Sequence, residues 1–326
     1  MSNQIITITT ESQGERLDHF LVKSLPDFSR SKIQTMIKEG LVAVNGEETS
    51  VHRFLKADDK IEILSEPLEL SEKASKKARP KKEFAENPLY GTGVWKRIKI
   101  IDDTPEYLVI EKPSGILVHP TTKNETNTLI DWAVTKYPEI AKIGDEPGRA
   151  GIVHRLDKEV SGLMVIPKTQ ESFENLKRQF KIRTVDKKYL ALVYGRVKNE
   201  TGEINFPIKR SVSKSGMFAA LPVSSEEGKQ AKTVYHIKQK FVNHTLLEVE
   251  IMTGRTHQIR VHLLALGHGI VGDPLYKNKG IKEKDVPERI FLHAASLAFN
   301  DLNGERHQYV SELPPVLNDY LKKVKV

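Results

Sequence analysis

The densest cluster of reactive side chains lies in the segment GIVHRLDKEVSG, residues 151–162. In it Asp157 stands between two basic residues, Arg155 and Lys158, directly before the apolar run GLMVIP at 162–167. A carboxylate flanked by cations at the mouth of a buried strand is held ionised by charge pairing. The segment therefore predicts either a reactive carboxylate or a structural ion pair at a strand end.

A second cluster is TGRTHQIRVH, residues 253–262. The residues before it alternate apolar and charged, which is typical of a strand, and apolar spacing predicts a helix over 256–267 with Leu266 on its inner side. Arg255 then lies at a strand-to-helix corner. Free backbone N–H groups at the start of a helix, together with a guanidinium, suit an anion or a carboxylate partner.

Two further segments carry weaker signals. Tyr189 lies in the strand-like run KKYLALVYG at 187–195, where its ring either packs in the core or lies beside a base or sugar. Lys112 belongs to EKPSGILVHP at 111–120, where it either faces a phosphate or simply precedes a turn. The residue types alone leave both alternatives open.

Composition excludes several kinds of chemistry. The 326 residues include no cysteine, which rules out disulfides, thiolate catalysis and cysteine-ligated metals. His257 and His262 are five residues apart, which does not match the i, i+4 spacing of a helical metal pair, so no metal is expected. The chain contains no G-x-x-x-x-G-K-[ST] motif, and Gly91-Thr92-Gly93 lacks the third glycine of a dinucleotide fingerprint. We therefore expect no nucleotide cofactor.

Charge and hydropathy point to a partner and a compartment. The net charge is +8 and the pI about 9.3, which suits a polyanionic partner without requiring one. No run of 18 apolar residues is present, so no membrane-spanning helix is expected. The N-terminal MSNQIITITT lacks a basic region followed by an apolar one, so no signal peptide is indicated. We expect a cytoplasmic protein.

The length suggests about two domains. Residues 14–66 form a candidate small module with two helices, a strand LVAVNG that ends in an Asn-Gly turn, and a closing strand near 60–64. Residues 67–93 read as a flexible basic linker, either a plain tether or one that touches phosphate. Its stretch 71–82 holds six basic residues against one acidic residue, a local net charge of +5.

The remainder, residues 94–326, forms the second domain. Its short strand-like runs alternate irregularly with a few helices, so the pattern favours an α+β fold over a doubly wound parallel sheet. The predicted strands are 97–101, 107–111, 162–167, 189–194 and 246–252, and the predicted helices are 172–181 and 256–267.

Taken together, the four chemical segments resemble the RluA-type family of RNA pseudouridine synthases. The resemblance rests on an H-R-L-D run followed by S-G at 154–162 and on the K-x-Y-x-A pattern at 187–191. It also rests on G-R-T-H-Q-I-R-V-H at 254–262, G-D-P-x-Y at 272–276 and L-H-A at 292–294. Residues 14–66 are similar to an S4 RNA-binding module, which suggests the large-subunit ribosomal RNA branch of the family.

The resemblance implies an isomerase that turns uridine in RNA into pseudouridine, built on a mixed, mostly antiparallel sheet with flanking helices. It implies that Asp157 is the catalytic carboxylate and that Arg255 is its ion-pair partner. Tyr189 would lie against the uracil, and Leu292 would form an apolar floor. Isomerisation consumes no electron, phosphate or water, which agrees with the expected absence of a cofactor.

The resemblance also implies how RNA is held. A uridine in folded RNA must be flipped out to reach a carboxylate, and Arg155, next to His154, would support that step. In the S4-like module the basic residues outside the apolar stripes would contact RNA; these are Arg16, Arg30, Lys32 and Arg53. We expect a monomer whose partner is RNA of the 23S ribosomal type or a ribosomal precursor particle, with no membrane contact.

Three other functions fit parts of the sequence. A non-catalytic S4-type RNA-binding protein would have lost active-site residues, yet Asp157, Tyr189 and Arg255 are all present. A hydrolase acting at an anomeric carbon would use two carboxylates, and only Asp157 lies in a cationic cluster. A pseudouridine synthase acting on transfer RNA would share every motif named above.

Overall fold

The computed structural model describes residues 4–26, 28, 30–51, 53–64, 93, 95–121, 125–145, 150–211, 216–278, 280 and 286–325. The chain divides into two compact units, Met1–Glu83 and Phe84–Val326. The predicted linker at 67–93 lies outside the described residues, apart from Gly93. Among the described helices, none is both long enough and apolar enough to cross a membrane.

The N-terminal unit combines a small antiparallel sheet with two helices. The strands, in the spatial order β1-β4-β2-β3, are β1 Gln4–Thr7, β2 Val42–Val44, β3 Glu47–Glu48 and β4 Lys60–Ile63. The helices are α1 Leu17–Ser24 and α2 Arg30–Lys38. Both predicted helices and both predicted strands are present. Strand β1 lies before residue 14, the predicted start of the module, and pairs with β4.

The predicted Asn-Gly turn closes the hairpin between β2 and β3. Asn45 and Gly46 both have positive φ, 58° and 75°. This is the backbone of a tight two-residue hairpin turn, whose twist matches that of the flanking strands. Behind the hairpin, the apolar residues of the two helices and β4 form one buried cluster, which includes Leu17, Leu21 and Ile61.

The second unit is built on a nine-stranded sheet. Its strands are β5 Lys99–Asp103, β6 Tyr107–Lys112, β7 Ser161–Pro167, β8 Asp186–Tyr194, β9 Thr201–Ile204, β12 Thr233–Lys240, β13 His244–Ile251, β14 Leu292–Asn300 and β15 Arg306–Val310. Between β9 and β12 a separate hairpin pairs β10 Ile208–Arg210 with β11 Phe218–Ala220. The helices are α3 Leu129–Lys136, α4 Gln170–Ile182, α5 Gln258–Ala265 and α6 Pro315–Lys323.

The strand order of the large sheet is β5-β6-β7-β14-β8-β13-β12-β9, with β15 added to β14. Every pairing is antiparallel except the short one between β7 and β14. The sheet is therefore mixed and mostly antiparallel, and the α+β fold class is confirmed. Strand β7 is buried along its whole length, because apolar clusters cover both faces. This explains why its sequence is continuously apolar.

Two predicted boundaries are wrong for local reasons. The helix predicted over 256–267 begins only at Gln258, because His257 has a left-handed backbone with φ 56°. It ends at Ala265, so Leu266 follows the last turn and is 37% exposed instead of inward. The strand predicted from 97 begins at Lys99, because Trp95–Arg97 forms a single 3-10 turn.

The parallel contact between β7 and β14 depends on Gly162. Its φ is +123°, and a Cβ added there would lie 2.3 Å from the backbone oxygen of Ala294. Ala294 is also its partner in the register of the two strands. Only glycine therefore lets the strand that follows residues 151–160 lie this close to β14.

Replacing Gly162 with alanine should lower the free energy of unfolding by about 3 kcal/mol or more, because the new Cβ meets backbone in a strained conformation. Gly304 is a matched control, since its φ is +85° and nothing lies within 4 Å of an added Cβ. Gly304→Ala should cost about 1–2 kcal/mol, the strain alone. Urea unfolding of both variants measures the difference. Equal losses would contradict the close contact.

Candidate active site

Asp157 lies in the loop that leads into β7. Its neighbours Leu156 and Val160 are 5% and 3% exposed, so they anchor the loop in the core, whereas the Asp157 side chain is 18% exposed. The loop thus presents one carboxylate at the surface from a backbone that is fixed on both sides.

Lys112, at the end of β6, holds this loop from below. Its side chain is fully buried and Nζ donates to three carbonyl oxygens, those of Pro113 at 3.0 Å, Ile116 at 2.9 Å and Lys158 at 3.1 Å. Burial, and next the charge of Arg289, lower the pKa of Lys112 to about 7. Lys112 does not face a phosphate: it ties the turn after β6 to the loop that carries Asp157.

Two more bonds reinforce the same junction. The Ser114 hydroxyl donates to the carbonyl oxygen of Glu159 at 2.8 Å, and the Gly115 N–H donates to that of Lys158 at 2.8 Å. The weak sequence signal at 111–120 therefore marks a clamp on the reactive loop.

Arg260, in the first turn of α5, joins Asp157 to a second carboxylate. Its Nε and Nη2 donate to the two oxygens of Asp273 at 2.7 and 2.8 Å, and its Nη1 donates to Asp157 Oδ2 at 3.2 Å. The side chains of Arg260 and Asp273 are 4% and 0% exposed. Burial lowers the pKa of Arg260, but Asp273 and then Asp157 more than offset this, so the net shift is upward and the guanidinium stays charged.

Asp273 is itself held in place by backbone. Its Oδ1 accepts the N–H groups of Leu275 at 2.9 Å and Tyr276 at 3.0 Å. The Arg260 guanidinium also lies 4.9 Å from the centre of the Tyr276 ring. The G-D-P-x-Y run at 272–276 therefore builds the socket that orients Arg260.

His257 and Tyr276 complete the wall next to Asp157. The Phe218 N–H donates to Tyr276 Oη at 2.9 Å, and Tyr276 Oη lies 2.8 Å from His257 Nδ1. The phenol proton then goes to Nδ1, which leaves the proton of a neutral imidazole on Nε2, 3.8 Å from Asp157 Oδ2. Burial is the main cause that lowers the pKa of His257, so the ring is neutral near pH 7.

Tyr189 and Leu292 lie on neighbouring strands, β8 and β14. Tyr189 is 6% exposed and Leu292 is 3% exposed, and both belong to the main apolar cluster. Burial, and next the charge of Asp157, raise the pKa of Tyr189, so its phenol is neutral at all physiological pH values. The structure thus places Tyr189 near enough to Asp157 for the charge of that carboxylate to act on the phenol.

The predicted ion pair between Arg255 and Asp157 is not formed, and Arg260 is the partner instead. Arg255 Nε donates to the carbonyl oxygen of Gln230 at 3.1 Å. The reason is the left-handed residue His257, which delays the helix to Gln258. Arg255 therefore precedes the corner, whereas Arg260 follows it on the buried first turn.

His154 and Arg155, adjacent in the sequence, have opposite environments. His154 Nε2 accepts the Val165 N–H at 3.0 Å, and its ring stacks on Phe180 with centres 4.7 Å apart. Burial, and next the charge of Lys187, lower the pKa of His154 to about 3, so it is a neutral support for β7. Arg155 is exposed, with Nη1 3.3 Å from His119 Nε2.

In the N-terminal unit two predicted RNA contacts carry ion pairs. Arg16 binds Asp18 through Nε and Nη2, both at 3.0 Å, and Arg53 lies 3.5 Å from Asp59. Their side chains are 29% and 30% exposed. Lys32 is exposed on α2, and the Arg30 side chain lies outside the described residues.

A relay of buried polar groups supports β7 from the side of β14. Arg289 Nη2 donates to Ser161 Oγ at 2.7 Å, which leaves the Ser161 hydroxyl to donate to His293 Nδ1 at 2.8 Å. At the other end Ser311 Oγ donates to Glu111 Oε2 at 2.8 Å, so it accepts from His293 Nε2 at 3.1 Å. Burial is the main cause that lowers the pKa of His293 to about 4.

One group in the described part of the chain has ligand atoms near enough for a metal ion. It consists of Asp301, Glu305 and His307, whose atoms lie within 4.8 Å of one another. His307 Nε2 already lies 3.0 Å from Asp301 Oδ2, and this ion pair accounts for the cluster.

Sequence reasoning did not single out Arg260 or Asp273 as parts of the site, and it considered Lys112 only as a phosphate contact or a residue before a turn. Arg260 lies in the segment TGRTHQIRVH at 253–262, but nothing in its spacing distinguishes it from Arg255. The acidic residue in the run at 272–276 was a usable signal, because a buried arginine needs a carboxylate partner.

Comparison with known proteins identifies both units. The model of the RNA pseudouridylate synthase family matches residues 106–265, and the S4 domain model matches residues 15–61. A human protein titled RNA Pseudouridylate Synthase Domain Containing 1 has a solved structure that superposes with a TM-score of 0.57 at 25% identity. That superposition covers 69% of this chain and 88% of the human one.

Curated relatives cover most of the chain. An uncharacterized RNA pseudouridine synthase of Aquifex aeolicus is 38% identical over 291 residues, which is 88% of this chain and 84% of the relative. The ribosomal large subunit pseudouridine synthase D of Nitrosomonas europaea is 34% identical over 271 residues, 83% of this chain and 71% of the relative. YlyB of Bacillus subtilis, named as an RNA pseudouridine synthase, is 30% identical and matches 99% of both chains.

The buried relay predicts a specific loss of stability in acid. The pKa of His293 is about 4 in the folded chain and about 6.5 when unfolded, so below pH 6.5 the unfolded chain binds more protons. Stability should therefore fall as the pH drops from 6.5 towards 4, and His293 contributes about 2 kcal/mol of that loss at pH 5.

Urea unfolding of the wild type and of His293→Gln at pH 7 and pH 5 isolates this contribution. The variant should lose about 2 kcal/mol less than the wild type between the two pH values. His236→Gln, which changes a half-buried histidine of β12, is the control and should behave as the wild type does. An identical loss in His293→Gln and the wild type would show that His293 does not titrate as proposed.

Proposed function

Because this chain belongs to the family of RNA pseudouridine synthases, it isomerises uridine in RNA to pseudouridine, and we propose that its substrate is large-subunit ribosomal RNA and its catalytic carboxylate is Asp157. The choice of RNA rests on the S4 domain and on the relatives from Nitrosomonas europaea and Neisseria meningitidis, which are named for the large ribosomal subunit. The single observation that carries the assignment of Asp157 is its partly exposed carboxylate, which Arg260 holds from the protein side.

The reaction makes one demand on the protein at the sugar. The C1′–N1 bond breaks, the uracil turns, and C1′ joins C5, so the product is an isomer of the substrate. A carboxylate either attacks C1′ or removes a proton from C2′. In both cases it must be ionised and must reach the ribose. No electron, phosphate or water is consumed.

Asp157 meets this demand because its two oxygens differ. Oδ2 accepts from Arg260, whereas no described residue donates to Oδ1. Oδ1 is therefore the oxygen available to the ribose. The neighbouring imidazole of His257 is neutral, so Arg260 is the cation that contacts this carboxylate.

Arg260 is proposed as the residue that fixes the direction of the carboxylate. Two of its three hydrogen bonds go to Asp273, which is buried and held by backbone N–H groups. The third reaches Asp157. Because the guanidinium is planar and clamped on one edge, the position of its Nη1 is set before substrate binds.

Tyr189 is proposed to pack against the uracil as it turns. It lies in an apolar wall with Leu292, within reach of the charge of Asp157, which suits the face of a base. Its raised pKa keeps the phenol protonated, so it can donate a hydrogen bond but is not itself a base at neutral pH. This supports the packing role over direct removal of the C5 proton.

RNA binding is proposed to involve both units. Arg155 is exposed two residues before Asp157, where a planar cation can stack in the place of the flipped uridine and hold phosphate. On the S4 domain, Arg16 and Arg53 are half-buried in ion pairs with part of each side chain at the surface. The monomeric state and the cytoplasmic location stay predictions.

Mapping of pseudouridines in cells tests the substrate and the carboxylate together. Removing the gene should abolish one or more pseudouridines in large-subunit ribosomal RNA, and the wild-type gene should restore them. Asp157→Asn, which is nearly isosteric, should not restore them, although the purified variant should bind the RNA normally. Loss confined to transfer RNA would overturn the ribosomal assignment. Activity of Asp157→Asn within about tenfold of wild type would overturn the role of Asp157, since about 1.4 kcal/mol is too little for the loss of a catalytic group.

A second experiment tests Arg260 as the orienting partner. Arg260→Lys keeps the charge but loses the planar fork that binds Asp273 along one edge and directs Nη1 to Asp157, so kcat should fall about 100-fold while KM changes little. Arg306→Gln is the control, because Arg306 pairs with Asp186 at the surface; its kcat should match the wild type. If Arg255→Gln lost the chemical step and Arg260→Lys kept it, the pair seen in the structure would not be the catalytic one.

A further inference from the structure

A cavity of about 260 Å³ lies where β8 begins and β13 ends. Its walls come from the end of α4, the first residues of β8 and the chain that follows β13. Five cationic residues line it, namely Lys181, Arg183, Lys187, Lys188 and Arg255. The residues assigned above to the chemical step, Asp157 and Arg260, are not part of its lining.

The two carboxylates at this cavity are already neutralised. Asp186 is paired with Arg306, and Glu250 lies 3.1 Å from Lys188. Arg306 lies outside the lining of the cavity, whereas Lys188 belongs to it and is shared between Glu250 and Glu248. The cavity keeps an excess of positive charge.

Lys187 is partly buried, whereas Lys181, Arg183 and Arg255 are exposed. Its Nζ lies over the Phe180 ring, 5.0 Å from the centre, and it forms no ion pair with any described carboxylate. Burial is the cause that lowers its pKa to about 8. A cation that has lost water without gaining an anion is unfavourable, so an anionic ligand would stabilise it.

Arg255 offers a second donor that is fixed in direction. Its Nε is bound by the carbonyl oxygen of Gln230. Its two Nη groups have no hydrogen-bond acceptor in the part of the chain that the structure describes. The guanidinium that sequence analysis assigned to Asp157 thus faces this cavity instead.

The cavity adjoins the proposed catalytic residues along one strand. Lys187 and Tyr189 are two residues apart on strand β8, about 7 Å along the strand. A single nucleotide linkage can span that distance.

We propose that this cavity binds a backbone phosphate of the RNA strand next to the uridine being modified. The proposal rests on the proposed function, since it takes Tyr189 as the place of the uracil. A phosphate fits better than a base. The Phe180 ring already stacks on the His154 ring and lies under Lys187 Nζ, so it is not available to stack on a base. Lysine and arginine donors around a small cavity match phosphate oxygens.

Steady-state kinetics and salt-dependent RNA binding of the full-length protein test the proposal. Lys187→Gln should raise KM about tenfold, the loss of one charge-assisted hydrogen bond, and should leave kcat within about twofold. The slope of log K against log salt should decrease in magnitude by about 0.7, as expected for one lost contact to single-stranded RNA. Arg255→Gln, a change at the exposed side of the cavity, should shift the slope in the same way.

Lys198→Gln is the matched control, because Lys198 is exposed in the loop between β8 and β9 and does not line the cavity. It should leave KM and the salt slope unchanged. The proposal would be overturned if Lys187→Gln and Arg255→Gln both had the same KM and the same salt slope as the control. A fall in kcat at unchanged KM would also overturn it, because Lys187 would then act in the chemical step.

Inorganic phosphate distinguishes the source of the anion. At constant ionic strength, phosphate should displace RNA from the wild type better than chloride does, and this advantage should disappear in Lys187→Gln. Phosphate that binds the wild type without weakening RNA binding would mean a site for free anion only, and would overturn the RNA assignment. Failure of the proposed function would look different, since the wild type would then form no pseudouridine while the salt slopes still differed.

Discussion

The buried bridge from Asp273 through Arg260 to Asp157 is the interaction on which the rest of the site depends. Taking a guanidinium out of water is costly, and it is stable here because Asp273 binds it with two short bonds while backbone N–H groups hold Asp273. Buried residues thus set the direction of the Asp157 carboxylate, so the ribose meets a carboxylate that is already oriented.

The loop that carries Asp157 is fixed by polar groups from two other segments. Lys112 binds three carbonyls below it, Ser114 binds its backbone, and the relay through His293 holds Ser161 at the start of β7. Gly162 lets that strand lie against β14. Lys112, Ser161 and His293 belong to strands of the nine-stranded sheet, which is buried along the whole of β7, so the supports of the loop are part of the core.

The positions of the charged residues are more informative than the net charge of the chain. Of the net +8, residues 71–82 alone contribute +5, so the pI says little about the catalytic unit. The structure places a separate group of cations around one cavity and neutralises the acids beside it. Local arrangement, more than net charge, determines where a polyanion can bind.

The sequence by itself determined the α+β class, four of the six described α-helices, seven of the fifteen described strands, the Asn-Gly hairpin turn and the loop that bears Asp157. These follow from periodicity and turn chemistry, which act between residues close in the chain. It did not determine which arginine meets Asp157, because Arg255 and Arg260 share one motif and their directions depend on the backbone of His257. Nor did it show that Lys112 is buried, since its three acceptors include Lys158, 46 residues away. Tertiary structure decided both, because desolvation and partner geometry exist only once distant segments meet.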